Sequence, residues 1–317
     1  MSACGVDTIS LAWRPRDDHP FDALREVGYK PGPSGAMICR ERGPGDERIV
    51  AYPANGLLTM EGRMGAILNG DAEDHSLVSA KRAPDAERAC ERTLRELLAY
   101  EPDQHTICEV RRYDLAREIS FREGADGLAF LRTLAGIHPA RTRTTLEVGV
   151  DGQVQTVYVR TPKRGEVQQR HYDKGVEAGT HPPGQRVRLE SQLRPARDKR
   201  VATTTLARLD LAPHFIRRME PYVSNTENLV AAGSTAALDE LLGRVAREEL
   251  TMARAERLAG SLAILRVHGR TIYTEQQGQR RLRALREAGI ALETELPADR
   301  TVPVGELLRQ AMKDFSA

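Results

Sequence analysis

Residues 6–13 alternate apolar and polar side chains and stop ahead of Pro15, which predicts a half-buried strand. Residues 48–53 and 57–60 are two further apolar runs around Ala54-Asn55-Gly56, and an Asn-Gly between such runs predicts a hairpin. Over residues 85–100 Ala86, Ala89, Cys90, Leu94, Leu97 and Leu98 recur at helical spacing behind Ala83-Pro84. A strand is read over residues 106–119. A helix follows over 124–137, with Leu128, Leu131 and Leu134 inward. Residues 144–150, 153–160 and 167–174 read as successive strands, the first two joined by an Asp151-Gly152 turn. Residues 185–193 form one more alternating strand, closed by Pro195.

The pattern changes after about Ala212. Pro213, Pro221 and Ser224-Asn225-Thr226 mark a boundary, and helical spacing follows over residues 235–259, 280–288 and 304–315. The middle helix is basic through Arg280, Arg281, Arg283 and Arg286, and Gly289 ends it. The predicted fold is therefore α+β: a largely antiparallel sheet with packed helices, followed by a helical C-terminal extension. A chain of 317 residues suits about two domains, read as 1–212 and 213–317. No internal repeat or low-complexity segment interrupts it.

Composition narrows the function classes. Lys and Arg number 47 and Asp and Glu 45, so the formal net charge is only +2, against a protein that coats nucleic acid by bulk charge. That near-neutrality hides a basic middle. Residues 141–200 carry thirteen Lys and Arg against seven Asp and Glu, a local excess suited to phosphate contact or to a solvated strand face. Aromatic residues are 4%, too few for a base-stacking platform. No apolar run is long enough for a membrane span, and the N-terminus lacks the order of a secretory signal. Cys4, Cys39, Cys90 and Cys108 are scattered, with no CxxC pair, which suits reduced thiols in a cytoplasmic protein.

Side chains two apart on a strand share a face. Three predicted strands thereby present polar rows: Arg112, Asp114, Ala116 and Glu118; Gln168, Arg170, Tyr172 and Lys174; Arg186, Arg188, Glu190 and Gln192. Periodicity fits a site, but it fits a sheet face open to water slightly better. If the rows meet, Asp114, Glu118 and Glu190 offer hard oxygen ligands for Mg²⁺ or Mn²⁺. Tyr172 is then a candidate nucleophile, with Lys174 supplying a positive field. Arg186 and Arg188 would hold flanking phosphates.

Arg170-His171-Tyr172-Asp173-Lys174-Gly175-Val176-Glu177, followed by Arg186-Val187-Arg188-Leu189-Glu190, resembles the YDKG…E and RxRxE core of plasmid and phage replication initiation proteins of the rolling-circle Rep_trans type. Arg112-Tyr113-Asp114-Leu115-Ala116 with Glu118 resembles that family's RxD strand, and residues 155–159 fit the strand ahead of the tyrosine. The resemblance covers roughly residues 5–200 and is densest over 106–195. It implies a site-specific nicking enzyme that cuts one DNA strand at an origin, joins it to a tyrosine and leaves a free 3′-OH. It further implies a divalent metal held by carboxylates, a homodimer, and a host helicase as partner. The matching nucleophile is Tyr172, with Tyr158 as competitor. The matching metal ligands are Asp114 and Glu190, with Glu118 third; Arg112, Arg170, Arg186 and Arg188 are the candidate DNA contacts. Two positions depart from the pattern: Glu118 stands where the family often has Asp, and Arg160-Thr161-Pro162-Lys163 replaces a Gly-Ser stretch. No two histidines lie two apart, against the histidine-metal type of initiator. The basic middle and the basic helix at 280–288 also suit a DNA-binding regulator or initiator without nicking activity.

Overall fold

The computed structural model describes residues 4–102, 106, 108–150, 152–161, 167–196, 199–224, 226, 228–268 and 274–315. Asp151 of the expected turn, and Pro162 and Lys163 of the departing stretch, lie outside these. The fold is α+β, with a large antiparallel sheet and a helix-rich C-terminal region.

The chain begins with β1 (Cys4–Trp13), α1 (His19–Val27), β2 (Tyr29–Pro31), β3 (Met37–Cys39), β4 (Arg48–Tyr52), β5 (Leu57–Arg63), α2 (Met64–Asn69) and α3 (Ala83–Leu98). There follow β6 (Glu109–Ser120), α4 (Gly124–Ala135), β7 (Arg143–Val148), β8 (Val154–Arg160), β9 (Val167–Asp173), α5 (Lys174–Ala178) and β10 (Arg186–Leu193). The rest comprises α6 (Thr203–Leu206), α7 (Ala212–Val223), β11 (Val230–Ala232), α8 (Ser234–Ala246), α9 (Met252–His268), α10 (Glu275–Glu287), β12 (Ile290–Leu292), β13 (Thr301–Val302) and α11 (Val304–Phe315). Two compact units result: Met1–Arg117 with Glu190–Phe215, and Glu118–Leu189 with Ile216–Ala317. The chain passes from one to the other within β6, within β10 and within α7.

In the first unit the strands run in the order β2-β3-β4-β5-β1-β6-β10. β4 and β5 are the expected hairpin, paired from Arg48↔Glu61 to Tyr52↔Leu57, with Gly56 in the left-handed region at φ +53°. Alternation sorts the two faces. Ile9, Leu11 and Trp13 of β1 share one face with Ile49 of β4 and Leu58 and Met60 of β5, all essentially buried. Helices α1 to α3 pack against this part of the fold and add Phe21, Leu24, Met64 and Leu94 to its core. Burial of each such side chain stabilises by about 1.5–3 kcal/mol. The opposite face carries a polar row, in which Arg48, Glu61, Ser10 and Arg112 stand side by side on β4, β5, β1 and β6.

In the second unit the order is β6-β10-β9-β8-β7. Helix α4 lies on β8 and β9, and buries Phe130, Leu131 and Leu134 along with Val157 and Val159. Strand β9 ends one residue earlier than its periodicity predicts. The Asp173 carboxylate accepts the Val176 N–H at 3.2 Å and caps α5, so Lys174 opens a helix instead of closing a strand. Gly184 takes φ +77°, a conformation glycine reaches without strain, and donates its N–H to the same carboxylate.

The C-terminal region is less purely helical than expected. It holds a small sheet in the order β12-β11-β13, with β12 parallel to β11 and β13 antiparallel. Leu241, Leu258, Leu262, Leu285 and Ile290 form the core between this sheet and α8 to α10. The basic helix α10 is partly absorbed by the fold: Arg281 donates to Ser261 at 2.7 Å, Arg283 pairs with Glu287 and Arg286 donates to the Gly136 carbonyl.

Candidate functional site

The polar rows resolve into three clusters. In the first unit Arg112 forks onto Asp114, with its Nε 2.9 Å from Oδ1 and its Nη2 on Oδ2. The same guanidinium donates through Nη1 to Glu61 Oε1 at 2.8 Å. Asp114 and Glu190 are both fully buried, and Gln192 donates to Glu190 at 3.2 Å. Burial first, and then the charge of Glu190, push the Asp114 carboxyl well above the ordinary carboxylate range, against the opposing pull of Arg112. Asp7 adds to the push. Its presence has a backbone cause: the β1–β6 register slips between Val6↔Leu115 and Ile9↔Tyr113, so Asp7 and Thr8 stand against Asp114 alone.

Asp114 and Glu190 are two buried carboxylates that press on one another, and both act on the Arg112 guanidinium. A hard divalent cation would offset the repulsion between them. The donor set thus fits Mg²⁺ or Mn²⁺ as two ligands. Among the described residues no group of three or more Asp, Glu, His or Cys side chains converges as a metal cluster.

Glu118, the third expected ligand, has a different setting in the second unit. Its carboxylate accepts from Arg186 and Arg188, with Arg188 Nε at 3.0 Å and the Nη2 of each arginine closer. Burial raises the Glu118 pKa, but the two guanidiniums outweigh it and hold the carboxyl below its usual range. Arg188 is fully buried in this knot, whereas Arg186 keeps a third of its side chain exposed.

The third cluster surrounds Tyr172 on β9. The guanidinium of Arg170 lies over its ring, 4.2 Å from the centroid, and Lys174 Nζ is 5.7 Å from the same centroid. Glu177, on α5, anchors both cations, with Arg170 at 3.7 Å and Lys174 in a direct hydrogen bond. Tyr172 is only 2% exposed, yet it lines a cavity of about 310 Å³ shared with Tyr158, Arg170, Glu147 and Glu177. Tyr158 stands opposite Arg170 in the β8–β9 register and donates its hydroxyl to Glu147 at 2.9 Å. Burial and that carboxylate raise the Tyr158 pKa, so losing its proton would set phenolate against carboxylate. His171 points the other way: fully buried, edge-on to Tyr222 and held neutral by a pKa pushed down to about 3.

Glu61, Asp7, Glu147 and Glu177 are the site neighbours that periodicity did not single out. Glu177 has a signal in hindsight, since the i,i+3 spacing from Lys174 on a helix sets the pair side by side.

No protein-family model matches the chain, and no curated protein matches it in sequence. Solved structures do match in part. One is a rolling circle replication initiator protein from Geobacillus stearothermophilus, at a TM-score of 0.35 and 16% identity over 70% of this chain and 85% of that one. Another is the TBP of Methanococcus jannaschii, at a TM-score of 0.33 and 11% identity over 62% of this chain and 90% of that one. No helix among the described residues is long and apolar enough to cross a membrane.

Proposed function

We propose that the chain is a replication initiator of the rolling-circle type that nicks and rejoins DNA through Tyr172. The observation that carries this reading is the Tyr172 cluster: a tyrosine on a cavity wall, with two cations on its ring, inside the motif that resembles the initiator core. In the proposed step the Tyr172 oxygen attacks phosphorus in a phosphodiester and loses its proton. The bond to the 3′ oxygen breaks, that oxygen takes up a proton, and the 5′ side remains as a phosphotyrosyl ester. Rejoining reverses the step, with the 3′-OH as nucleophile. Arg170 and Lys174 supply positive charge on the tyrosine side, and Arg112 and Arg186 are the proposed phosphate contacts.

Asp114 and Glu190 are the proposed holders of Mg²⁺ or Mn²⁺, whose chemistry is to offset negative charge developing on the phosphate. Glu118 and Arg188, spent on each other, are assigned to holding the sheet together. A homodimer and a host helicase partner belong to the same proposal.

The test is a Tyr172→Phe variant incubated with divalent metal and a supercoiled plasmid carrying the origin. The expected result is loss of covalent protein–DNA adducts on a denaturing gel, with DNA binding kept. Adducts that persist would move the role to Tyr158, where Tyr158→Phe is the next variant. The near-complete burial of Tyr172 favours a second reading, a DNA-binding initiator or regulator that does not cut. Binding with no relaxed plasmid, in either metal, would select it.

A further inference from the structure

The polar face of the first unit holds a groove of about 230 Å³ beside the β4–β6 row. Four guanidiniums line it, from Arg48, Arg111, Arg112 and Arg194, against the carboxylate of Glu61. Arg112 is committed to Glu61 and Asp114. Arg48 and Arg194 have no ion pair or hydrogen bond among the described residues. Arg111 lies over Tyr52, 5.8 Å from the ring centroid.

Strict alternation would turn Arg111 away from the face that carries Arg112. A register slip prevents this: Ser10 pairs with Arg112 and Leu11 with Val110, so Arg111 is the extra residue of a β-bulge. A bulge re-aims one side chain and so puts two consecutive arginines into one groove. Burial, and then the charge of Arg200, make the Arg111 cation harder to hold. Like charges gathered in a concave site repel one another and favour an anion, and the guanidinium fork matches phosphate oxygens two at a time. The groove has room for a phosphate with its sugar.

We propose that this groove seats a backbone phosphate of a single DNA strand, gripped by Arg48, Arg111 and Arg194. The proposal rests on the DNA reading above and names an anchoring point that reading does not contain.

The test is fluorescence anisotropy of the full chain with a labelled mixed-sequence single-stranded oligonucleotide over a salt series, without divalent metal and in the Tyr172→Phe background. The triple variant Arg48→Gln, Arg111→Gln, Arg194→Gln should bind at least about tenfold more weakly, with a salt slope shallower by about 0.7 for each phosphate that is no longer neutralised. Glu61→Gln should bind more tightly, a gain that misfolding cannot mimic. A triple variant that binds with the parent's affinity and slope overturns the proposal, as does a Glu61→Gln variant that binds no tighter. Weakened binding confined to duplex DNA overturns the choice of a single strand. A parent chain that binds neither form removes the DNA reading itself. Adducts that survive Tyr172→Phe reassign the nucleophile and leave the groove standing.

Discussion

Asp114 and Glu118 lie four residues apart on one strand and are both buried, yet their carboxyl groups respond in opposite directions. Asp114 is pushed above the ordinary range and Glu118 is held below it. Burial acts the same way on both, so it does not decide the outcome. The count of guanidiniums per carboxylate does. Glu118 accepts from both Arg186 and Arg188. Asp114 shares Arg112 with Glu61 and also bears the charge of Glu190. One region is an ion pair in which two guanidiniums outweigh burial, and the other is a carboxylate pair that one shared guanidinium does not outweigh, where the cation is proposed.

The largest expected effect lies in the knot. Glu118→Ala takes from the buried Arg188 the carboxylate it donates to, and a buried pair broken on one side costs about 3–5 kcal/mol. Urea or thermal unfolding reads this directly. Glu118→Leu combined with Arg188→Met should recover most of the loss, because the cost is the buried charge left behind more than the missing attraction. A single variant with parental stability would show that Arg188 does not rely on Glu118.

The next effect belongs to the carboxylate pair. Mg²⁺ or Mn²⁺ should raise the melting temperature of the parent chain, since a ligand at about 100 times its Kd stabilises by about 2.7 kcal/mol. Asp114→Asn should abolish that shift, while Glu118→Gln, although less stable, should keep it. A metal shift that depends on Glu118 and not on Asp114 would invert the comparison.

The pH dependence of the metal-free chain carries a definite sign. Asp114 has a folded-state pKa above its unfolded one, so the folded state holds the extra proton between the two values. Its contribution is complete below the ordinary Asp range and is lost as pH rises toward the raised value, by up to about 1.4 kcal/mol per pH unit. Glu118 works in the opposite sense: its contribution is complete above the ordinary Glu range and is lost as pH falls through the lowered value. Asp114→Asn should flatten the neutral limb of a melting-temperature profile and leave the acid limb intact. A neutral limb that survives the substitution assigns it to another group.

Much of the fold was legible because long elements repeat their period. β1, the β4–β5 hairpin, α3, α4 and β7 to β10 all stand close to where alternation or helical spacing placed them. The small C-terminal sheet was not, since three residues such as Val230–Ala232 are too short to display a period. The chain crosses between the two units inside two continuous strands and a helix, where no change of period marks the passage. Among site residues, alternation put Arg188 and Glu190 in one polar row, but burial and pairing are tertiary facts. Lys174 was misplaced because the Asp173 side chain competes for backbone N–H groups and starts a helix. Arg111 went unread because a bulge breaks the period-two rule that faces depend on.

The smallest expected effect tests the counting rule itself. Glu61 competes with Asp114 for Arg112, and its side chain is 43% exposed, so solvent screens much of its charge. Glu61→Gln leaves the shape of the site unchanged and gives Arg112 more fully to Asp114. The Asp114 pKa should then fall by roughly a few tenths of a unit, toward the condition of Glu118. The neutral limb of the melting profile should narrow, with its upper end moved to lower pH and the chain slightly more stable near pH 7. The same variant also removes the acid from the arginine groove, so the melting profile is best taken with no DNA present. An upper end that stays in place would mean that Glu190, and not the sharing of Arg112, sets the Asp114 pKa. Glu190→Gln would then produce the larger displacement.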